Sequence, residues 1–164
     1  SWPGGISMAL PGTRSISVPS SMTTWARPEM TKPRWWDWQL RVPTWTMGKS
    51  FDTHGPLGPW LVTPDEVGDP HALAIRTWVN DELRQDSNTR QLIHDCWAQI
   101  EHLSTAFTLE AGDVISTGTP AGVGGAMKPP KWLVAGDRVR IEIARIGTLE
   151  NPVIDEPSST TQTT

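Results

Sequence analysis

The sequence predicts an α+β domain that is mainly β. Three observations carry that prediction: short apolar stretches that alternate with period two, glycine- and proline-rich turns between them, and one segment with helical periodicity near residues 88–106. Alternation marks a half-buried strand because successive side chains leave a strand on opposite faces. Apolar residues three and four apart share one face of a helix.

The elements follow in chain order. Residues 1–44 hold six prolines and five tryptophans and keep neither period for long. Proline lacks a ladder donor and restricts the residue before it, so this stretch reads as mostly irregular, with one short strand at residues 15–18 closed by Pro19. Leu61, Val62 and Thr63 read as a short strand ended by Pro64. Leu73, Ile75, Thr77 and Val79 alternate with Ala74, Arg76 and Trp78 as a half-buried strand. Asn80-Asp81 supplies a turn, and Glu82, Leu83 and Arg84 return as the second strand of a hairpin. The helix carries Leu92, Ile93, Cys96, Trp97, Ile100 and Leu103 on one face, with Ser87 or Asn88 as its cap. Cys96 on that apolar face reads as a buried structural thiol. Ala111-Gly112-Asp113 turns into a strand at Val114, Ile115 and Ser116. The second Ala-Gly-Asp, ending at Asp137, leads into alternating Val139, Ile141 and Ile143, which Ile146 to Leu149 continue past a bend. A polar tail ends the sequence.

Composition excludes several classes. The 164 residues carry a net charge of −4 and a single cysteine, which rules out an internal disulfide framework and a four-cysteine zinc site. The local excess of positive charge, from Arg27 to Arg41, is interleaved with proline and tryptophan, and no nucleic-acid partner is expected. No apolar run reaches the roughly 18 to 20 residues of a membrane helix, and no signal pattern opens the sequence, so a soluble, cytoplasmic protein is expected.

Three glycine-rich segments can host chemistry: residues 48–53, 54–60 and 116–125. Gly48-Lys49-Ser50 is no P-loop, because Pro43 stands where the upstream glycine belongs. Lys49 is either a solvated lysine or a cation placed on an anionic substrate or developing enolate. Thr117 and Thr119 flank Gly118 in a run that either makes a plain turn or lets amides and a hydroxyl approach a carboxylate. His54, His71, His94 and His102 form no chelating pair, and His54 beside the Gly/Pro loop is the candidate base. No Gly-x-Ser-x-Gly elbow is present.

Residues 37–63 (DWQLRVPTWTMGKSFDTHGPLGPWLVT), 69–80 (DPHALAIRTWVN), 112–124 (GDVISTGTPAGVG) and 129–153, in that order, resemble the fumarylacetoacetate hydrolase superfamily. The resemblance implies an incomplete mixed β-roll over residues 37–153, between a non-family segment 1–36 and a polar tail 154–164. It also implies a homodimer and a hydrolase or isomerase acting on a small 2-oxo acid of acylpyruvate type. Such enzymes hold Mg²⁺ or Mn²⁺ through carboxylates, because a hard cation takes oxygen ligands and, as a Lewis acid, stabilises an enolate oxygen. By the same resemblance Lys49 stands beside the metal site with the Thr53 hydroxyl close to it, and Gln39 contacts substrate. Thr119, next to Gly118 in Thr-Gly-Thr, holds the substrate carboxylate.

The sequence departs from that family upstream. Lys32 stands at the position of a metal-binding aspartate and Trp36 at that of an arginine, and no Glu-x-Glu pair precedes them. Glu29 is the one acidic residue among the first 36. An ammonium repels a divalent ion where negative oxygens are required. No metal ligand is therefore assigned to this chain, and the alternative function is a catalytically inactive scaffold or interaction protein that keeps the family core. A shifted reading frame or an alternatively joined exon upstream of Trp36 would explain the abrupt onset. The upstream nucleotide sequence tests it, and no Glu-x-Glu in either other frame refutes it. A partial roll leaves sheet edges and apolar faces uncovered, so we expect a marginal or oligomeric chain. A cooperative, monomeric unfolding transition well above about 60 °C would refute that expectation.

Overall fold

The computed structural model describes the backbone strands 7–9 and 24–26 and all of residues 55–155. Its centre is the expected hairpin. Strand β3 (Ala74–Val79) runs antiparallel to β4 (Glu82–Asn88), with Asn80 at the turn in the left-handed region, φ 55°. Asparagine tolerates that conformation because its short side chain can bond locally. Here it bonds across the sheet instead: Arg138 N donates to Asn80 Oδ1 at 2.9 Å, and Asn80 Nδ2 donates to Asp137 Oδ1 at 3.0 Å. The hairpin turn is thereby pinned to the start of β6 (Arg138–Ile143), which pairs antiparallel with β3.

The chain then reverses. Arg145 (φ 64°) and Gly147 (φ 126°) turn it into β7 (Gly147–Asp155), antiparallel to β6. Residues 146–149 therefore do not extend the preceding strand. They belong to a hairpin that the Ala-Arg-Ile-Gly text does not announce. Two short strands complete the sheets: β2 (Thr24–Ala26) lies parallel on β7, and β1 (Ser7–Ala9) pairs antiparallel with β5 (Val114–Ser116). The larger sheet has the order β2-β7-β6-β3-β4 and stays open, as expected of an incomplete mixed β-roll. The expected strand at residues 15–18 and the tail beyond Asp155 fall outside the described residues.

The expected strand at residues 61–63 is not formed among the described residues, and Thr63, extended, caps the short helix α1 (Pro64–Val67). Proline at the first helical position needs no hydrogen-bond partner, and the Glu66 carboxylate accepts from Thr63 Oγ1 at 3.0 Å and from Thr63 N at 3.3 Å.

The main helix α2 spans Cys96–Ser104 and is shorter than its periodicity suggests. Asn88 caps a 3₁₀ turn at Thr89–Gln91, accepting from Arg90 N, and Asp95 caps α2 itself, accepting from Ala98 N at 2.7 Å. The reason is long-range bonding: Thr89 N donates to Leu73 O and Leu73 N donates to Thr89 Oγ1, both at 2.9 Å. These bonds hold the chain against β3 where a helix would have begun. Leu92 and Ile93 consequently precede the helix, and Ile93 is 93% exposed.

The first helical amide has an unusual acceptor. Cys96 N donates to His71 Nε2 at 2.9 Å, while His71 Nδ1 lies 3.4 Å from Asp69 Oδ1 and the ring meets Trp97 edge to face. The imidazole thus acts as a second cap on α2, and we expect His71→Ala to cost about 1–2 kcal/mol in urea unfolding. A loss under ~0.3 kcal/mol would refute that role. Cys96 is buried as expected, and burial, reinforced by the Asp95 charge, pushes its thiol above the usual range. Because the thiolate is the nucleophile, iodoacetamide at pH 8 should label Cys96 far more slowly in the folded chain than in urea. Equal rates would show the thiol to be accessible and ionisable.

The described core is small. Leu73 and Val67 pack with Val62, Ile143 and Ile146, and Ile75 and Val153 are buried further along the sheet. Thr77, Gln85, Thr89 and Asn151 are buried polar residues. The outer face carries exposed cross-strand pairs, Arg76 with Asp86 at 3.2 Å and Arg138 with Glu150 at 2.8 Å, and Arg140 over the Trp78 ring. Such solvated pairs contribute at most about 1 kcal/mol each.

Candidate functional site: a glycine-bent loop on a bulged hairpin

The site begins with an irregularity in the hairpin. Thr77 opposes Gln85, but Trp78 opposes Leu83, so Arg84 is the extra residue of a β-bulge. A bulge sends the side chains on its two sides to different faces. Leu83 therefore lies outward and 47% exposed, while Gln85 points inward beside Thr77, with 1% and 0% exposure respectively.

The chain leaving β5 folds over this bulge. Gly118 and Gly122 adopt φ 117° and 104°, in the region that disfavours every residue with a Cβ. Space matters as well as conformation at Gly122. A Cβ built there would lie 1.9 Å from Arg84 O, so the loop backbone rests directly on the bulge carbonyl. At Gly124 a Cβ would lie 2.0 Å from Lys131 O, the second close approach. Arg84 reaches under the loop to Met127 Sδ at 3.5 Å; its Nε lies 3.2 Å from Glu82 Oε2 but is not aligned for a hydrogen bond. Lys131 Nζ donates to Glu82 Oε1, which holds that carboxyl below the usual range.

Gln85 ties the functional end of the loop. Its Nε2 donates to Pro120 O at 2.8 Å and to Thr119 Oγ1 at 3.1 Å. Of the residues singled out in the sequence, Thr119 is thus held on the hairpin by an inward-facing amide, with Gly118 next to it in the chain. Sequence alternation gives no sign of Gln85, because without the extra residue Arg84 it would share the outward face of Leu83. Gln39, Lys49, Thr53, His54, Lys32 and Trp36 lie outside the described residues. His94 and His102 meet neither each other nor the loop in any hydrogen bond or ion pair found among the described residues; the His94 carbonyl accepts from Gln99 Nε2.

A cleft of about 530 Å³ opens elsewhere, between the end of α2 and β5, lined by Leu103, Phe107, Leu109, Glu110, Asp113 and Ser116. Asp113 is engaged with the Glu110 amide at 2.8 Å. Two carboxylates make this cleft a poor receptor for an anion, so the loop and not this cleft is the candidate site. Among the described residues no three His, Cys, Asp or Glu side chains converge, so these residues do not by themselves fit a divalent ion. No described helix is long and apolar enough to cross a membrane.

The family model for the fumarylacetoacetate (FAA) hydrolase C-terminal region matches residues 25–154, beginning upstream of Asp37. The chain belongs to the fumarylacetoacetate hydrolase family. Among curated relatives it is similar to the mitochondrial oxaloacetate tautomerase fahd2 of Xenopus laevis, 51% identical over 120 residues, covering 72% of this chain and 38% of that protein. Among solved structures it is similar to the fumarylacetoacetate hydrolase of psychrophilic Exiguobacterium antarcticum, with 44% identity and a TM-score of 0.70, covering 73% of this chain and 43% of that one. It is also similar to maleylpyruvate hydrolase from Sphingobium sp. SYK-6 in complex with manganese (II) ion and pyruvate, with 44% identity and a TM-score of 0.62 over 68% of this chain and 39% of that one. The chain spans about 38% of the length of the first curated relatives it matches.

Proposed function

We propose that the Thr117-Gly118-Thr119 loop binds the carboxylate of a small 2-oxo acid, in a hydrolase or isomerase of the family. The observation that supports this reading most is the tether on Thr119: Gln85 Nε2 sits 3.1 Å from its Oγ1, so the hydroxyl is not left to rotate in solvent. Names of the relatives agree on the substrate class, since oxaloacetate and pyruvate are both 2-oxo acids. Gln39, Lys49 and Thr53 are proposed as the remaining substrate and catalytic groups on the strength of their motif alone. Mg²⁺ or Mn²⁺ and a homodimer are proposed on the same ground, with the acidic ligands supplied by another chain. We place the protein in the cytoplasm, and cell fractionation separates this from the mitochondrial address in the name of the Xenopus relative.

A second reading, a catalytically inactive scaffold, is favoured by Lys32 at an aspartate position of the family motif. Calorimetric titration of the purified chain with Mg²⁺ or Mn²⁺ in the presence of oxalate, a mimic of a 2-oxo acid enolate, decides between them. Oxalate-dependent binding in the micromolar range, lost in Thr119→Val, is the result expected for the enzyme. Absence of binding by a folded sample assigns the chain to the scaffold class.

A further inference from the structure

Gln85 makes little sense as a packing residue. It is 1% exposed, and its Oε1 has no hydrogen-bond partner among the described residues; the same is true of Thr77 Oγ1, on the residue opposite it in the hairpin. Leaving a buried acceptor unsatisfied costs about 1–3 kcal/mol, and an apolar side chain of similar shape avoids that cost. The other end of the amide is fully used. Pro120 O can only accept, so its 2.8 Å contact fixes Nε2, and not Oε1, as the end that faces the loop. The second amide proton then goes to Thr119 Oγ1.

That bond has a direction with a chemical consequence. A hydroxyl oxygen that accepts from an amide still carries its own proton, which it donates to the next group. A carboxylate offers only acceptors. We propose that Gln85 is a positioning residue that orients the Thr119 hydroxyl as a donor toward the substrate carboxylate. The inference rests on the carboxylate-binding reading of Thr119 above. The bulge at Arg84 turns the Gln85 amide inward, and Gly122 brings the loop within its reach. The same arrangement favours an anion over a neutral group, because the oriented proton forms a charge-assisted bond.

The test uses the full chain in two measurements. Three-bond couplings to the Thr119 methyl carbon report its χ1 without any ligand: a single rotamer is expected in the wild type and averaging in Gln85→Met. Gln85→Glu, close in shape, reverses the polarity, since a carboxylate accepts the Thr119 proton. The second measurement is oxalate affinity in the presence of Mn²⁺. Both Gln85 variants should lose tenfold or more, whereas Thr77→Val, equally buried on the opposing strand, should stay within twofold. A single, unchanged Thr119 rotamer in Gln85→Met overturns the proposal, as does wild-type oxalate affinity in a folded Gln85→Glu. Failure of the wild type to bind oxalate overturns the substrate reading instead, and the rotamer measurement still decides whether Gln85 orients Thr119.

Discussion

Gly122→Ala should destabilise the chain by at least about 3 kcal/mol, toward the upper end of what single substitutions do. Two terms add. A residue with a Cβ at φ 104° is strained by roughly 1–3 kcal/mol. The new methyl would also lie 1.9 Å from Arg84 O and 3.0 Å from Arg84 C, and no side-chain rotation can relieve a collision with backbone. The loop must lift from the bulge, and Thr119 and Pro120 then leave Gln85. Gly118→Ala separates the two terms, because φ there is 117° and none of the described residues lies within 4 Å of the added carbon. It should cost only the strain, about 1–3 kcal/mol. Urea unfolding of both variants checks this, and equal losses would mean that the close approach of loop and bulge carries no energy.

Leu73→Ala should cost about 3 kcal/mol, within the range for truncating a buried leucine. Leu73 is 2% exposed and packs with Val67, Val62, Ile143 and Ile146, so it joins the loop after α1 to the β6–β7 hairpin. Its backbone exchanges two hydrogen bonds with Thr89, which keeps the residue in place and limits collapse of the cavity. A typical domain has only about 5–15 kcal/mol in total, so the midpoint of urea unfolding should move well to lower concentration with little change in slope. Ile93→Ala is the control. Helical periodicity puts Ile93 on the same apolar face as Cys96, but it is 93% exposed, and its loss should stay within about 0.5 kcal/mol. A larger effect of Ile93→Ala than of Leu73→Ala would show the core to lie elsewhere.

The sequence by itself determined the class of fold and the hairpin at its centre. Alternation from Leu73 to Val79, an Asn-Asp turn and a return at Glu82, Leu83 and Arg84 are local readings, and the structure places β3, the turn and β4 there. The same holds for β5 and β6, each announced by an Ala-Gly-Asp turn, and for Cys96 as a buried thiol. Ordered motifs sufficed for the family, and the Thr-Gly-Thr run marked the loop.

Tertiary structure alone decided the rest. The helix starts at Cys96 because Thr89 is bonded to Leu73, sixteen residues away, and no local propensity encodes that bond. Residues 146–149 turn back as a hairpin because the chain reverses at Arg145 and pairs with β6, and the 9-residue strand that results then receives β2 in parallel. Gln85 became visible only through the bulge. Regular alternation would put Leu83 and Gln85 on one face; the extra residue, Arg84, exposes the leucine and buries the amide. Periodicity describes a strand by itself, whereas a bulge, a cap at long range and a loop resting on a carbonyl are properties of two segments meeting. A single sequence specifies such meetings, but only the packed chain displays them.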